Sequence, residues 1–412
     1  MGQMSKKKSK SRSTSKSVAQ IKSQAAAQAK AEGSASIASQ GNPKPPKTPK
    51  QTAASAQRKS GGKPVAKKRV AIIAGVVVVV IAAVAIGVFA FMNTGKSNLL
   101  RPGGYDTSHL KVHEGAESSD GGRTVTYNGA TYKLNESVVP ICIMGQDKGL
   151  HKPDEGTNGQ SDAVMVIAVN TETNDIKGIA VPRDSMVHSQ KKFRDIYKDT
   201  SYKTDKMQLC LTYACGSSDE ESSKLVASSV SSDILFGIPI DFYYTIDTNG
   251  LGELADLADG VTLEALYTVP KTFFSSDMPI NAGETVTLRG NDALRYVQYR
   301  DTSRYQTALE RLERQQQFVK ALGKKLLEQV KGNPSKVVDI VNTLGQYSTT
   351  NLGAAEFGYL ASVAANTGTD TVDLTRLQGE AVHNSDNPWE QFFVDEGSTY
   401  QTVLDTFYTK VS

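Results

Sequence analysis

The chain has 412 residues, 39% of them hydrophobic, with 47 basic and 43 acidic side chains, which is more than one average domain needs. The charge is uneven: residues 1–69 hold 17 Lys or Arg and one acid, Glu32, leaving 30 basic and 42 acidic residues for positions 70–412. The basic segment has no aromatic residues and no recognition motif, so nothing indicates a nucleic-acid reader.

The N-terminal part predicts a membrane anchor. Residues 1–69 are poor in large apolar side chains and are predicted to be a disordered basic tail. Residues 70–92 are 23 residues without a charge, about 35 Å as a helix, which is enough to cross a bilayer. A cleaved signal peptide would not follow a 69-residue leader. Because Lys and Arg directly precede the span, we expect a single-pass cell-membrane anchor, with a cytoplasmic N-terminus and an extracellular remainder.

The extracellular part predicts one large domain. Residues 93–133 are rich in Gly, Ser and Thr and indicate a stalk or a minor strand addition, and the domain itself is expected over 134–412. The predicted strands are 138–144, a hairpin over 163–181, 240–246 and a turn and strand over 283–288. The predicted helices are 218–234, 249–258, 291–299, 307–330, 334–343 and 353–365. This alternation favours an α/β fold with helices on both sides of a sheet.

The three cysteines, Cys142, Cys210 and Cys215, belong to this domain. Cys210 and Cys215 are close enough in sequence for a small disulfide in an oxidising exterior, and two buried thiols are the alternative. Cys142 lies in an apolar run and is predicted to be in the core. The chain has no zinc-ligand spacing of Cys and His.

The hairpin over 163–181 predicts the first part of a site. Asp162 precedes its first strand, the polar residues 171–175 form its turn, and Arg183 and Asp184 follow its second strand. The start of one strand lies beside the end of the next in an antiparallel hairpin, so Asp162 and Arg183 should meet at one rim of the sheet. The pair is either a rim salt bridge or part of a site for an anionic ligand and a metal ion.

A second carboxylate is expected at the same rim. Strand 138–144 ends near Asp147, and a loop rich in Gly, Asp and Lys then leads to Asp162. If the two strands are neighbours, Asp147, Asp162 and Arg183 lie together. Two carboxylates suit Mg²⁺, which takes one or two carboxylates plus phosphate oxygens, and the planar Arg fork suits phosphate.

The helix from residue 307 predicts the second half of the site. Its apolar stripe contains Gln315, is bordered by Arg311, and includes Leu312, Val319, Leu322 and Leu326. A Gln in an apolar stripe needs a partner, which is either the core backbone or a ligand in a polar cleft. Arg311 favours the cleft, and Arg300, at the end of the preceding helix, can join it.

Five ordered motifs together resemble the LytR-CpsA-Psr family of bacterial cell-envelope proteins over roughly residues 134–412. They are GQD at 145–147, SDAVMVIAVN at 161–170, AVPRDS at 180–185, LRGNDALRYVQYRD at 288–301 and RLERQQ at 311–316. GIPIDFYYTID at 237–247 is also similar, as is the layout of tail, anchor and external domain. The resemblance implies a central mixed β-sheet flanked by helices that encloses a hydrophobic tunnel, which residues 225–269 could line.

The resemblance also implies an activity. Proteins of this family bind a polyprenyl-pyrophosphate-linked glycan and transfer its glycan phosphate to a peptidoglycan sugar hydroxyl, attaching teichoic acid or capsule to the wall. By this similarity Asp147 and Asp162 would serve a Mg²⁺–pyrophosphate site, with Asp162, Arg183 and Asp147 catalytic. Arg183, Arg300, Arg311 and Gln315 would hold the pyrophosphate. Of the two acids, Asp162 is slightly preferred as the base that takes the hydroxyl proton.

Two positions depart from the family pattern. Gln160 and Gln298 stand where the family often has arginine, so two cations are missing from a site in which charge stabilisation matters most. Lys148, Lys152 or Arg304 are possible replacements. The departures keep two rivals open: a non-catalytic protein that binds or scaffolds lipid-linked glycan, and a hydrolase in which water replaces the sugar acceptor.

Overall fold

The computed structural model describes residues 90–100, 104–147, 159–188, 205–273, 278–333, 336–367, 373–384 and 387–412. All of these belong to one compact unit, residues 71–412. The predicted tail, the predicted anchor except residues 90–92, Lys148, Lys152 and most of the polar segment before residue 205 lie outside the described residues. Within the described residues, none of the helices combines the length and the apolar character needed to cross a membrane.

Helices and strands alternate along the chain, as predicted. The helices are α1 (90–100), α2 (Leu209–Thr212), α3 (Asp219–Ser229), α4 (Thr248–Leu257), α5 (Gly290–Gln298), α6 (Thr307–Gly332), α7 (Lys336–Tyr347), α8 (Ala354–Thr367) and α9 (Glu396–Phe407). A 3-10 turn over Tyr213–Cys215 follows α2, and a π-helical turn over Val230–Ile234 follows α3.

The longest strands run through the middle of the domain. In chain order the strands are β1 (Thr124–Tyr127), β2 (Ala130–Leu134), β3 (Val138–Asp147), β4 (Gln160–Asn170), β5 (Ile176–Val181), β6 (Met186–Val187), β7 (Met207–Gln208), β8 (Phe242–Asp247), β9 (Val261–Glu264), β10 (Thr285–Leu288), β11 (Ser348–Thr350), β12 (Asp373–Arg376), β13 (Gly379–Asn384), β14 (Asn387–Val394) and β15 (Tyr408–Lys410). Every strand and helix predicted from the sequence within the described residues has a counterpart.

A six-stranded mixed sheet forms the centre, in the order β11-β8-β3-β4-β5-β12. Strands β3, β4 and β5 are successive antiparallel neighbours, while β8 runs parallel to β3 and β12 runs parallel to β5. Strand β3 is buried along nearly its whole length, which is typical of a strand covered on both faces. The predicted α/β class with a central mixed sheet is therefore confirmed.

Apolar layers cover both faces of this sheet. On one face, Val164 and Val166 pack with Val226 of α3 and Phe407 of α9. On the other face, one cluster joins the sheet to α8 and a second joins it to α4, α5 and α6. Most apolar residues of 225–238 thus belong to the core beside α3, on the face away from α6.

Residues before the predicted domain boundary also pack on the domain. Strand β1 pairs with β2, and β2 pairs with the C-terminal strand β15, so these residues form the minor strand addition rather than a stalk. Helix α1 contacts α8, where Asn98 Nδ2 donates to Glu356 Oε1 at 2.6 Å. A side chain at Gly95 would collide with the carbonyl of Ala355, so this approach requires glycine. The folded unit therefore begins well before Leu134.

All three cysteines are buried free thiols, so Cys210 and Cys215 form no disulfide in the structure. Burial raises the pKa of both Cys142 and Cys210 to about 12. The backbone amide of Cys210 donates to the carbonyl of Arg183 at 2.9 Å. These thiols contribute to packing, and their burial keeps them protonated at neutral pH.

Candidate functional site: a carboxylate between two arginines

The β4–β5 hairpin brings Asp162 and Arg183 together at one rim of the sheet, as its sequence predicts. Arg183 Nη1 donates to Asp162 Oδ1, and the two side chains are largely buried. The remaining Arg183 nitrogens donate to Gln160 Oε1 at 3.1 Å and to Asp184 Oδ1 at 3.3 Å. Arg183 is thus held in a fixed orientation by three partners within the hairpin and its flanks.

Helix α6 places a second arginine on the same carboxylate. Arg311 Nη1 donates to Asp162 Oδ2 at 2.9 Å, although 149 positions separate the two residues. The Arg311 Nε and Nη2 atoms are buried and have no hydrogen-bond partner among the described residues. A buried donor without a partner is costly, so these two atoms make Arg311 a candidate for contact with an anionic ligand.

Electrostatics of the three groups agree with an anion site. Burial disfavours the charged Asp162 carboxylate, but Arg183, Arg311 and Arg300 outweigh it and hold its pKa below the usual range. Burial also lowers the pKa of the Arg311 guanidinium in spite of its contact with Asp162. Asp162 accepts from both arginines, and Arg183 is also paired with the buried Asp184.

Gln315 makes the core contact, which is one of the two alternatives that its position allows. Its Nε2 donates to the backbone carbonyl of Val297 at 3.1 Å, which is the core contact. Its Oε1 is buried without a partner among the described residues, and the side chain lines a cavity. Gln315 therefore connects α5 to α6 and turns a free acceptor toward the site.

An apolar cavity of about 240 Å³ extends from Asp162 and Gln315. Its walls come from β3, β4, α4 and α6, and its other lining side chains include Ile143, Met144, Met165, Ile167, Ile246, Leu251, Val319 and Leu374. The tunnel implied by the resemblance has its counterpart here. Of residues 225–269, Ile246, Thr248 and Leu251 line this cavity, while most of the apolar residues of 225–238 belong to the core.

Arg300 is paired with a residue that the sequence did not single out. Arg300 Nη2 donates to Glu390 Oε2 at 2.8 Å, and Arg300 Nε donates to Thr307 Oγ1 at 3.3 Å. Glu390 is nearly buried on β14. A charged residue between Trp389 and the apolar pair Phe392-Phe393 was the available signal for it.

Asp147 ends β3 at the same rim and pairs in register with Gln160, two residues before Asp162. Among the described residues, no group of three or more His, Cys, Asp or Glu side chains is arranged to hold a metal ion. Two carboxylates at one rim are a donor set that Mg²⁺ accepts when it binds together with phosphate oxygens, and both Asp162 oxygens accept from arginines in the structure.

The positions that depart from the family pattern have defined contacts. Gln160 accepts from Arg183, and Gln298 Nε2 donates to Thr248 Oγ1 at 2.8 Å. Arg304 pairs with Asp301 and Glu310 and is more than half exposed. It therefore does not replace either missing arginine.

The chain belongs to the LytR_cpsA_psr family, whose sequence model matches residues 106–406. The crystal structure of Bacillus subtilis TagV is similar, with a TM-score of 0.52 and 21% identity over 66% of this chain and 97% of that one. This similarity supports the fold: a central mixed sheet with surrounding helices.

Two curated relatives are each 25% identical to this chain over the aligned residues. TagU of Halalkalibacterium halodurans, a polyisoprenyl-teichoic acid–peptidoglycan teichoic acid transferase, is 25% identical over 53% of this chain and 66% of its own length. Biofilm regulatory protein A of Streptococcus mutans is 25% identical over 62% of this chain and 60% of its own. This chain thus spans just under two thirds of each relative.

Proposed function

We propose that this protein transfers a glycopolymer phosphate from a polyprenyl-pyrophosphate carrier to a sugar hydroxyl of peptidoglycan. The observation that carries the proposal is the pair of unpartnered donors on Arg311, buried beside Asp162 at the polar end of an apolar cavity. A ligand that suits both parts has an anionic head and a long apolar tail. The family and the names of the relatives, two wall-polymer proteins among them, support this class of donor.

The pyrophosphate and the prenyl chain of the donor would bind in different parts of the site. The pyrophosphate would accept hydrogen bonds from Arg183 and Arg311, with Arg300 and Gln315 at its sides. Arginine suits this role because its planar fork donates to two phosphate oxygens at once. The first isoprene units would occupy the cavity, where apolar burial contributes about 25 cal/mol per Å². Asp147 and Asp162 would hold Mg²⁺, which neutralises phosphate charge when bound.

The transfer step requires few protein groups. The oxygen of the acceptor hydroxyl forms a bond to the glycan-linked phosphorus, while the bond from that phosphorus to the bridging oxygen breaks. Polyprenyl phosphate leaves with the bonding electron pair, and the hydroxyl proton passes to a base. The guanidinium groups stabilise charge on the phosphoryl oxygens, and their fixed positions avoid reorganisation during the reaction.

The contacts of Asp162 make it a poor candidate for the base. Both oxygens of Asp162 accept from arginines and its pKa is lowered, so Asp162 is a weak base at neutral pH. This argues against the sequence-based preference for Asp162. We assign Asp147 to the base instead and Asp162 to the orientation of Arg183 and Arg311.

The proposal places the domain outside the cell. Residues 70–92 would anchor the chain in the membrane, with residues 1–69 in the cytoplasm, which positions the domain beside its lipid-linked donor. The basic tail would then rest near anionic lipid headgroups.

A specific observation favours a second candidate, a protein that binds the lipid-linked glycan without transferring it. Gln160 and Gln298 are neutral, and each hydrogen-bonds a neighbouring protein group. A site with fewer cations can retain the ligand through its apolar tail and still stabilise the transition state poorly.

One assay separates these candidates. The full-length protein is incubated with Mg²⁺, a labelled polyprenyl-pyrophosphate glycan and peptidoglycan fragments, and products are identified by mass spectrometry. We expect a phosphodiester-linked product that is lost in Arg183→Ala. Donor binding without product for any acceptor would favour the binding protein. Released glycan phosphate without acceptor would indicate a hydrolase.

A further inference from the structure

Two exposed aromatic rings lie next to the arginine site, on the side of Arg300. Tyr305 is 67% exposed, and its ring packs against that of His383 with centroids 4.6 Å apart and planes inclined at 45°. Tyr305 belongs to the loop between α5 and α6, and His383 belongs to β13. Exposed rings of this kind, with no core to fill, are typical of binding surfaces.

Glu390 fixes the loop that carries Tyr305. Its Oε1 accepts from the backbone amide of Gln306 at 2.8 Å, and its Oε2 accepts from Arg300 at 2.8 Å. Gln306 has a left-handed backbone with φ of 61°, which is unfavourable for a residue other than glycine. One carboxylate thus links the aromatic pair to a phosphate-binding arginine.

The hairpin formed by β13 and β14, which carries His383 and Glu390, also contacts the segment that follows Arg183. The amide of Phe392 on β14 donates to the carbonyl of Asp184, the residue after Arg183, at 2.9 Å. A small cleft between the two regions is lined by Arg183, Ala308, Glu390 and Phe392. The aromatic pair is therefore linked to Arg300 through Glu390, and to the segment after Arg183 through Phe392.

We infer that Tyr305 and His383 form a subsite for a sugar ring of the acceptor glycan. A pyranose ring has an apolar face of C–H groups, which packs on exposed aromatic rings, and a rim of hydroxyls. The polar groups of Asp301 and Arg304 in the same loop suit that rim. A sugar on the aromatic pair has Arg300 and Arg183 beside it, so one of its hydroxyls can reach a phosphorus bound there. This inference rests on the proposed transferase.

The chain contains a built-in reporter for the test. Trp389 is the only tryptophan, it is exposed, and it precedes Glu390 on β14. The purified full-length protein is titrated with a β-1,4-linked N-acetylglucosamine tetramer, by calorimetry and by Trp389 fluorescence. Maltotetraose serves as the control sugar.

We expect saturable binding of the tetramer, weakened about tenfold in Tyr305→Ala and His383→Ala, which is the size of one lost stacking contact. Tyr305→Phe retains the ring and should bind like the wild type. His109→Ala, an exposed histidine on a different part of the domain, is the matched control. Wild-type affinity in Tyr305→Ala, or no calorimetric binding by the wild type, overturns the subsite.

Transfer kinetics distinguish this inference from the proposed function. Tyr305→Ala should raise the acceptor KM about tenfold and leave the donor KM unchanged, while Arg183→Ala should lose transfer and retain tetramer binding. An acceptor KM unchanged in Tyr305→Ala, with transfer intact, overturns the subsite and leaves the transferase standing. Tetramer binding that depends on Tyr305, with no transfer to any acceptor, overturns the transferase and supports the sugar subsite.

Discussion

Two regions of this domain contain buried arginines, and they differ in how the guanidinium groups are satisfied. Behind α5, Arg295 is 1% exposed and donates to the carbonyls of Phe273, Pro270 and Met278 and to Asp292. At the sheet rim, Arg311 is 6% exposed, but two of its nitrogens have no hydrogen-bond partner among the described residues. Burial alone therefore does not mark a functional arginine. The two arginines differ in their donors: Arg311 has two buried nitrogens without a partner, and Arg295 has none among the described residues.

Arg314 lies between these two cases, because two of its nitrogens have backbone partners and its buried Nε has none among the described residues. It lies one turn from Arg311, and its Nη atoms donate to the carbonyls of Tyr296 and Tyr299 while its guanidinium stacks near both rings. Arg314 is buried because α5 covers that side of α6. Arg314 joins the two helices, and Arg311 contacts Asp162.

The largest loss of stability is expected when the Asp162 carboxylate is removed from the sheet rim. Asp162→Asn leaves the buried Arg311 without a counter-ion and removes one of the two carboxylates that contact Arg183, so it should lower the free energy of unfolding by about 3–5 kcal/mol at pH 7. Since the pKa of Asp162 is lowered on folding, its stabilisation is present above pH 4 and is lost as the pH falls through that lowered pKa. Urea titrations at neutral and acidic pH test this. Equal losses at both would contradict it.

A conservative change should separate the two kinds of arginine. Arg311→Lys keeps the charge but cannot span Asp162 and a phosphate, so transfer should fall about 100-fold. Unfolding free energy should change little, because the lost donors had no partner. The transfer assay and urea unfolding are run on the same samples. A stability loss without a rate loss would place Arg311 among the structural arginines.

Arg295→Lys is the matched opposite. It leaves carbonyls of the 270–278 segment without donors and should lower the unfolding free energy by about 2 kcal/mol. The donor KM of the folded protein should match the wild type, since Arg295 lies away from Asp162. A raised donor KM with unchanged stability would mean that our comparison of the two regions is wrong.

The smallest effect tests the apolar half of the site. Val319 is 39% exposed and lines the cavity, so Val319→Trp should narrow it and weaken binding of a long-chain prenyl donor about tenfold. A donor analogue with a single isoprene unit should bind as before. Val341→Trp, at an exposed position of α7 outside the cavity lining, is the control. If Val319→Trp weakened binding of both donors equally, the cavity would not be the binding site of the prenyl chain.

Much of the fold was predictable because its signals are local. The β4–β5 hairpin follows from two apolar runs around a polar turn, and pairing of those runs brings Asp162 to Arg183. Helix α6 follows from its apolar period. The β13–β14 hairpin and α9 had no comparable signal that we recognised, and the stalk assignment hid the strands that pair with β15.

The sequence by itself determined the α/β class, the rim formed by β3, β4 and β5, and, through family motifs, the residues Arg300, Arg311 and Gln315. The tertiary structure alone decided what each side chain contacts. Arg311 reaches Asp162, Arg314 reaches backbone carbonyls, and Arg300 is paired with Glu390 from a hairpin 90 positions later. The physical reason is that hydrogen-bond satisfaction depends on which elements pack together, and packing joins residues that no sequence period connects.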